Sequence, residues 1–398
     1  MRLRFDRHEL AGSLGDLGTL LPLAIGLIQI NGLDATAVLL MVGLYFLASG
    51  AYFGITMPVQ PMKVVSAYAI AAALEPTVIT TSGFLLGVLL MALALTSAID
   101  AIGTLVPKPV IRGVQLSTGV LLLSKGVHFI VGDSEFQTAR GAAEPFLDVQ
   151  SIGPVPIGVV LGAVAFTLIF LLLRNKVAPA ALVVVIGGLA TGLALGGLRA
   201  LSGLSLGINL PTFLPYGTPT SAEVVVALTV LALPQVPMTI GNAVLAQADL
   251  TKEYFGEAGA RRSTPRALTL SMGLANLASA LVGGMPMCHG AGGLAAHYQF
   301  GARTAGSNII IGTIFVAVAI TLGSGASHLL GLLPLSVLGA LLAYAGVQLA
   351  LVILDVTERR DLFVVVMLLG ISLATNLAVG FVVGIILAYA LRHPRVEV

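Results

Sequence analysis

The stretch Met57-Pro58-Val59-Gln60-Pro61-Met62-Lys63 interrupts an almost continuous apolar sequence, and Gly284-Met285-Pro286-Met287-Cys288-His289-Gly290 interrupts the second half of the chain in the same way. Each interruption lies at the start of a short apolar run, 64–74 or 291–300. These runs are too short to cross a bilayer as ordinary helices. Short or proline-broken segments that occur in both halves of a membrane protein indicate the binding site of a transporter.

The composition excludes a water-soluble fold. Hydrophobic residues make up 57% of the 398 residues and charged residues 10%, whereas an ordinary soluble domain carries about 25% charged residues. The 47 glycines fit a helical membrane protein, because small residues let transmembrane helices pack closely. Cys288 is the single cysteine, so an intrachain disulfide is excluded.

Apolar segments account for most of the chain. They fall at 10–30, 35–54, 59–74, 76–98, 107–124, 155–173, 178–197, 222–248, 265–283, 288–300, 305–323, 333–352, 362–378 and 379–391. If the N-terminus is cytoplasmic, all Lys and Arg residues fall in cytoplasmic loops except Lys63, which lies in the membrane, and Lys125, Arg140 and Arg199, which lie outside. Because positive residues accumulate on the cytoplasmic side, the sequence predicts an all-α polytopic membrane protein with fourteen segments and both termini in the cytoplasm.

Fourteen segments divide into two sets of seven. Because seven is odd, the second set enters the membrane from the opposite side, which makes an inverted repeat. We therefore predict a single transmembrane unit, 1–398, with repeats at 10–198 and 220–392, half-helices as the third and tenth segments, and no soluble domain. The longest polar loop, 126–154, is predicted to be external and solvated, and we assign it no chemistry.

The two interruptions predict an anion site. We expect Pro61 and Pro286 near the first turn of each half-helix, where the missing N–H of proline costs nothing. The amides of 62–64 and 287–289 would then lack helical partners, and each helix end would carry roughly half a positive charge. With Lys63 the total approaches +2, which suits a tetrahedral dianion such as molybdate or sulfate. The alternative is that the prolines, Pro58 included, only kink two helices and Lys63 reaches the interface.

Asp16 lies in the first apolar segment between glycines. An anion site does not favour a free carboxylate, so Asp16 would pair with Lys63 or titrate and couple uptake to protons. The alternative is that it caps a helix end. In the eighth segment Gln235, Thr239 and Asn242 are spaced at i, i+4 and i+7, which places neutral donors on one face of a helix. Hydrogen bonding between helices is the alternative role for these three side chains.

Cys288 and His289 do not predict a metal site, because one Cys beside one His lacks the four ligands of a usual zinc site. His289 is better explained as a donor to substrate or as a pH-sensitive gate. The sequence contains no nucleotide-binding loop, nucleophile elbow or zinc motif on a helix. We therefore expect no enzyme activity, no cofactor and no metal.

Several of these motifs resemble the signatures of the molybdate transporter family, which is related to the SulP sulfate permeases. They are Gly15-Asp16-Leu17-Gly18-Thr19 with Pro22, Pro58-Val59-Gln60-Pro61-Met62-Lys63, Met285-Pro286-Met287-Cys288-His289-Gly290-Ala291-Gly292-Gly293-Leu294 and Tyr298-Gln299-Phe300-Gly301-Ala302-Arg303. The resemblance covers essentially the whole chain. It implies the fold of seven plus seven inverted repeats shared with sulfate permeases and the uracil permease.

The resemblance also implies that the segments form two parts, a core and a gate. Segments 1–4 and 8–11 would form a core at 10–98 plus 220–323, and the others a gate at 104–198 plus 330–392 that commonly forms a homodimer. Substrate would lie between the half-helices and move with the core in an elevator-like stroke. The cytoplasmic STAS domain typical of SulP members is expected to be lacking, as in the molybdate branch.

The sequence therefore predicts a secondary transporter that takes up molybdate across the cytoplasmic membrane. The expected partners are the oxyanion and the lipid bilayer, and no nucleic acid is expected to bind. Sulfate or tungstate as the substrate, a nucleobase carrier of the same fold, a passive anion channel and a membrane scaffold are the alternatives. The predicted substrate-binding residues are Gln60, Met62, Lys63, Val64, Gln235, Thr239, Asn242, Met287, Cys288, His289 and Gly290.

Overall fold

A computed structural model describes residues 3–96, 106–173, 175, 179–196, 207–323 and 325–392. Five residues of the predicted charge distribution lie outside them: Arg2, Arg174, Lys176, Arg199 and Arg395. The described chain is mostly helical. The helices are α1 Arg7–Ser13, α2 Leu17–Gln29, α3 Ala35–Phe53, α4 Lys63–Ala71, α5 Pro76–Thr96, α6 Lys108–Val131, α7 Glu135–Arg140, α8 Ile157–Leu172, α9 Ala180–Gly196, α10 Ser221–Ala260, α11 Pro265–Leu281, α12 Ala291–Gln299, α13 Gly306–Leu322, α14 Gly325–Gly331, α15 Leu335–Ala350, α16 Arg359–Ala374 and α17 Leu377–Ala390. The strands are β1 Gln60–Pro61, β2 Ser151–Ile152, β3 Val155–Pro156 and β4 Met287–Cys288.

Five of the described helices, α3, α5, α6, α10 and α15, are long and apolar enough to cross a membrane. The count is seven if the bent pairs α1–α2 and α13–α14 each form one span. Helices α8, α9 and α17 are apolar but have 14 to 17 residues. Each of the fourteen predicted segments overlaps a helix, yet the short and broken ones do not reach the usual length of a span. The number fourteen therefore stays a prediction.

The two interruptions meet as a short antiparallel ladder. Gln60 lies opposite Cys288 and Pro61 opposite Met287. Each strand is followed by a nine-residue helix, α4 or α12, which we call the first and second half-helix. The predicted position of the prolines was wrong: Pro61 lies in β1, and Pro286 lies before β4, five residues ahead of the second half-helix. Proline fits an extended segment where its missing N–H leaves no ladder partner unsatisfied.

Two buried asparagines hold the broken segments in place. Asn276 of α11 accepts a hydrogen bond from the amide of Met287 and donates to its carbonyl, at 2.8 and 2.7 Å. Asn308 of α13 does the same for Met57, at 2.8 Å for both bonds. Because both asparagines are fully buried, they replace the water that would otherwise satisfy this irregular backbone.

The most extensive helix contacts pair elements that are far apart in the chain. Helix α3 packs on α13 and α5 on α11, whereas α6 packs on α15, α16 and α17. The contact between α6 and α15 needs glycine, because a Cβ on Gly119 would lie 2.6 Å from the carbonyl oxygen of Gly346, and the reverse also holds. Close backbone approach at small residues is the usual means of helix association in membranes.

The loop between α6 and α8 is more ordered than the sequence predicted. It contains α7 and the β2–β3 hairpin, and Glu144, predicted to be solvated, is fully buried. Its carboxylate accepts hydrogen bonds from the amides of Leu335 and Ser336, at 2.8 and 2.9 Å, at the start of α15. Burial raises the pKa of the Glu144 carboxyl, and the bonds from this helix end oppose the shift.

Candidate substrate site

A cavity of about 640 Å³ lies where α2, α4, α10 and α12 face α6 and α15. Three charged side chains line it among the described residues, Lys63, Lys108 and Arg112, and all three are basic. The other polar side chains that line it are those of Thr19, Gln60, Gln115, Asn242, Tyr344 and Gln348. A largely apolar cavity with a few convergent cationic and neutral polar groups suits a small anion.

Lys63 is the first residue of the first half-helix and is partly buried. Within the described part of the chain, its ammonium group has no ion-pair partner within 4.0 Å. A lysine without a counter-ion in a membrane segment is costly. The cost falls if a negatively charged substrate supplies the missing partner.

The amides of Met62 and Val64 are not open, which corrects part of the prediction for 62–64, whereas the amide of Lys63 has no acceptor among the described residues. Gln235 reaches across from α10, and its Oε1 accepts from the amides of Val64 and Val65 at 2.9 and 3.3 Å. The amide of Met62 donates to the carbonyl of Pro286 at 2.9 Å. Neither Met62 nor Val64 lines the cavity. This helix end offers an anion mainly its dipole and the side chain of Lys63.

The second half-helix does present open donors, but later in the chain than predicted. The amide of Met287 is used by Asn276. In contrast, the first-turn amides of Ala291, Gly292 and Gly293 have no acceptor among the described residues, as expected where a helix begins without a side-chain cap. Gly292 lines the cavity, and a Cβ built on it meets no atom within 4 Å.

Asp16 forms a hydrogen bond with Gln60, and of the two roles predicted for it the ion pair with Lys63 does not form within 4.0 Å among the described residues. The side-chain amide of Gln60 donates to Oδ1 of Asp16 at 2.6 Å. The second oxygen, Oδ2, is buried and has no hydrogen-bond partner among the described residues. A Cβ on Gly293 would lie 2.6 Å from this oxygen, so glycine is what lets the second half-helix approach the carboxyl group. Asp16 precedes α2 but makes no side-chain cap bond there.

The structure does not bring His289 or Cys288 to the cavity. His289 is fully buried, with Nδ1 at 2.8 Å from the carbonyl oxygen of Pro58 and Nε2 at 2.9 Å from the hydroxyl of Tyr45. The thiol of Cys288 points at the carbonyl oxygen of Pro61, 3.8 Å away. Met287 and Gly290 also do not line the cavity. These residues join the two interrupted segments, and the predicted role of His289 as a direct donor has no geometric support.

The predicted common face in α10 is divided. Gln235 and Thr239 are buried and bonded to each other at 3.0 Å, whereas Asn242 lines the cavity. The reason is a π-helical segment, Thr239–Leu245, since π turns are wider than α turns and shift the following side chains around the axis. Gln235 therefore caps the first half-helix, and Asn242 is the one of the three that faces the cavity.

Helix α6 contributes a wall of the cavity that the sequence did not predict. Lys108, Arg112 and Gln115 are spaced at i, i+4 and i+7 and lie on one face of that helix. The charge pattern predicts the first two as cytoplasmic loop residues. The signal that could have found them was a polar stripe in an otherwise apolar segment.

Comparisons with known proteins identify the family. The family model described as a molybdate transporter of the MFS superfamily matches residues 8–122 and 227–349, which include both half-helices. Molybdate transporter 1 of Arabidopsis thaliana is 30% identical over 409 residues, covering 94% of this chain and 86% of the relative. Molybdate transporter 1 of Chlamydomonas reinhardtii is 32% identical over 470 residues, covering 95% of this chain and 90% of the relative.

Solved structures identify the fold. The transmembrane domain of the cyanobacterial bicarbonate transporter BicA matches with a TM-score of 0.66 at 18% identity, covering 98% of both chains. The murine anion transporter SLC26A9 in its inward-facing state matches with a TM-score of 0.67 at 16% identity, covering 98% of this chain and 69% of that one. At these identities the match shows the fold alone. The identity of the substrate has to be argued from the residues of the site. Together, the matched family model and the curated relatives show that this chain belongs to the molybdate transporter family.

Proposed function

We propose that this protein is a secondary active transporter that takes up molybdate across the cytoplasmic membrane. The observation that carries the proposal is the cavity whose charged lining, among the described residues, consists of Lys63, Lys108 and Arg112. The curated relatives are named molybdate transporters, which supports molybdate among the possible oxyanions.

The substrate position follows from the open donors. The ammonium group of Lys63 and the uncapped end of the second half-helix supply about 1.5 positive charges, if a helix end counts as roughly half a charge. The amides of Gly292 and its neighbours, with the side-chain amides of Gln60 and Asn242, would donate hydrogen bonds to the oxygen atoms of the ion. A dianion pays a large desolvation cost on entering such a site, so it needs this combination of charge and donors.

The transport cycle we propose is alternating access between a core and a gate. The inverted repeat is supported by the matched β1–α4 and β4–α12 units and their antiparallel pairing. The core at 10–98 plus 220–323 carries both half-helices, and the gate at 104–198 plus 330–392 supplies α6 and α15 opposite them. An elevator-like movement of the core would carry the ion, and the gate would form the homodimer contact.

The cavity opens beside Lys108, whose side chain is 54% exposed. By the distribution of positive residues this is the cytoplasmic side, where both termini would lie. The structure thus corresponds, in this proposal, to an inward-open state. Asp16 is the proposed coupling group, because its buried and unpartnered Oδ2 is an available proton site next to Gln60.

Uptake of labelled molybdate into proteoliposomes tests the function. Wild-type protein should accumulate molybdate against a gradient, and accumulation should depend on pH. Competition by excess sulfate, tungstate and uracil then separates the candidates. Stronger competition by sulfate than by unlabelled molybdate would make sulfate the substrate. Fast currents without accumulation would indicate an anion channel, and inhibition by uracil alone would overturn the oxyanion proposal.

A further inference from the structure

The cytoplasmic end of the cavity contains a second set of cationic groups, separate from Lys63. Both Lys108 and Arg112 line the cavity from α6, and both contact Asp355 at the end of the 3-10 turn that follows α15. Arg112 binds it with two nitrogens, Nε to Oδ1 at 2.9 Å and Nη2 to Oδ2 at 2.6 Å. Lys108 approaches Oδ2 at 3.1 Å.

This cluster is not electrically neutral. Two cations share one carboxylate, so one positive charge stays uncompensated by it. The remaining guanidinium nitrogen of Arg112, Nη1, donates to Oε1 of Gln115 at 2.8 Å. Only 4% of the surface of Gln115 is exposed. Its side-chain amide nitrogen has no acceptor among the described residues. Its side chain lines the same cavity. An unpartnered donor at the cavity wall beside excess positive charge is suited to an oxyanion.

The cluster lies between Lys63 and the exposed end of the cavity. Along α6 the lining runs from Lys108 to Leu122, a distance of about 21 Å at 1.5 Å per residue. Lys108 is 54% exposed and the side chain of Arg112 is 22% exposed. An ion that leaves Lys63 for the cytoplasm therefore passes Gln115 and Arg112 before it reaches bulk water.

We propose that Arg112, Lys108 and Gln115 form a cytoplasmic release subsite for the oxyanion, and that Asp355 competes with the ion for it. This inference rests on the proposed transport function. When the oxyanion arrives, it shares the guanidinium and ammonium groups with Asp355. The carboxylate then displaces the ion toward water, because it is tethered beside the same cations at high effective concentration.

A purely structural ion pair predicts something different. In that case Arg112 and Asp355 only join α6 to the end of α15, so removal of either partner would weaken the protein in the same way. If Asp355 competes with the ion, removal of Arg112 should weaken binding of the ion at the cytoplasmic face, whereas removal of the Asp355 charge should strengthen it. The two roles are therefore separated by the sign of the change in cytoplasmic affinity.

The experiment measures molybdate transport in inside-out and right-side-out membrane vesicles. For Arg112→Gln we expect the KM at the cytoplasmic face to rise about tenfold, while the KM at the external face stays unchanged. For Asp355→Asn we expect the cytoplasmic KM to fall several-fold and the maximal rate of release to decrease. Lys108→Gln should resemble Arg112→Gln with a smaller effect, because a charge-assisted bidentate contact is stronger than a single one.

Arg360→Gln is the matched control, since Arg360 is exposed, lies outside the cavity and is five residues from Asp355. It should leave both KM values unchanged. If Arg112→Gln and Asp355→Asn lower the maximal rate equally from both faces with unchanged KM, the subsite is wrong and the ion pair is structural. If wild-type vesicles do not transport molybdate at all, the proposed function fails first.

Discussion

The side-chain amide of Gln60 donates to Oδ1 of Asp16 at 2.6 Å, and this bond joins the strand before the first half-helix to the start of α2. Both residues are nearly fully buried, and Gln60 also lines the cavity. A change of protonation on Asp16 would therefore act one residue away from the cavity. This relationship is the reason for proposing Asp16 as a coupling group that acts through Gln60.

Asp16→Asn should remove the pH dependence of uptake. Asparagine keeps an oxygen that can accept from Gln60, so the protein should fold, while the proton site on Oδ2 is lost. Uptake measured between about pH 5 and about pH 8 should vary with pH in the wild type and be flat in the variant. Glu358→Gln, a change at an exposed acid, serves as the control. An unchanged pH profile in Asp16→Asn would exclude Asp16 as the coupling group.

Lys63→Ala should abolish transport without unfolding the protein. Its ammonium group makes no ion pair among the described residues, so its loss removes little folding energy. A hydrogen bond to a charged group contributes about 1.5–3 kcal/mol, which corresponds to roughly a 10- to 150-fold loss of molybdate affinity. Lys125→Ala, on the same protein but outside the cavity, should transport normally. Uptake by Lys63→Ala at the wild-type rate would remove this residue from the site.

Substitutions at two neighbouring glycines should distinguish an effect on substrate binding from an effect on folding. A Cβ on Gly292 meets no protein atom within 4 Å and projects toward the cavity. Gly292→Ala should therefore keep or raise the thermal midpoint, since alanine favours a helix by about 1 kcal/mol, yet reduce uptake. Gly293→Ala should lower the thermal midpoint, because its Cβ would lie 2.6 Å from Asp16 and 2.7 Å from Pro58. Full transport by Gly292→Ala would place the substrate elsewhere.

Asn276→Ala should destabilise the protein strongly. It leaves the amide and the carbonyl of Met287 without their partner, and each unpaired buried group costs about 1–3 kcal/mol. Asn308→Ala should have a similar effect through Met57. Thermal unfolding in detergent measures both, with the exposed Thr321→Ala as a control. A midpoint within one degree or so of wild type would show that water replaces the asparagine.

Glu144 should give the protein a measurable pH-dependent stability. Its folded pKa is raised above the ordinary glutamate value of 4.5, so its contribution to stability is complete below that value and is lost as the pH rises through the raised pKa. The thermal midpoint of wild type minus that of Glu144→Gln should therefore increase on acidification from about pH 7.5 to about pH 5. A difference that stays constant or decreases would contradict a raised pKa.

Much of the fold was predictable because it depends on local properties of the chain. Hydropathy over about 20 residues marks a membrane segment wherever it occurs, and each of the fourteen predicted segments overlaps a helix. The two interruptions were equally visible, since proline and lysine are unfavourable in a continuous apolar helix. The resemblance of these motifs to the molybdate transporter family agrees with the family model and the curated relatives.

Which backbone amides of the two half-helices are free to bind an anion depends on contacts between distant segments. Sequence alone makes the two half-helices look equivalent, but Gln235, which is 171 residues from Val64, occupies the first one. Likewise, Lys108 and Arg112 become part of the cavity because α6 packs against the first half-helix. The residue order alone was enough to predict that Lys63 lies beside a break in an apolar segment, because proline and lysine interrupt that segment locally. Which partners surround it depended on contacts between segments far apart in the chain, and no local pattern encodes those contacts.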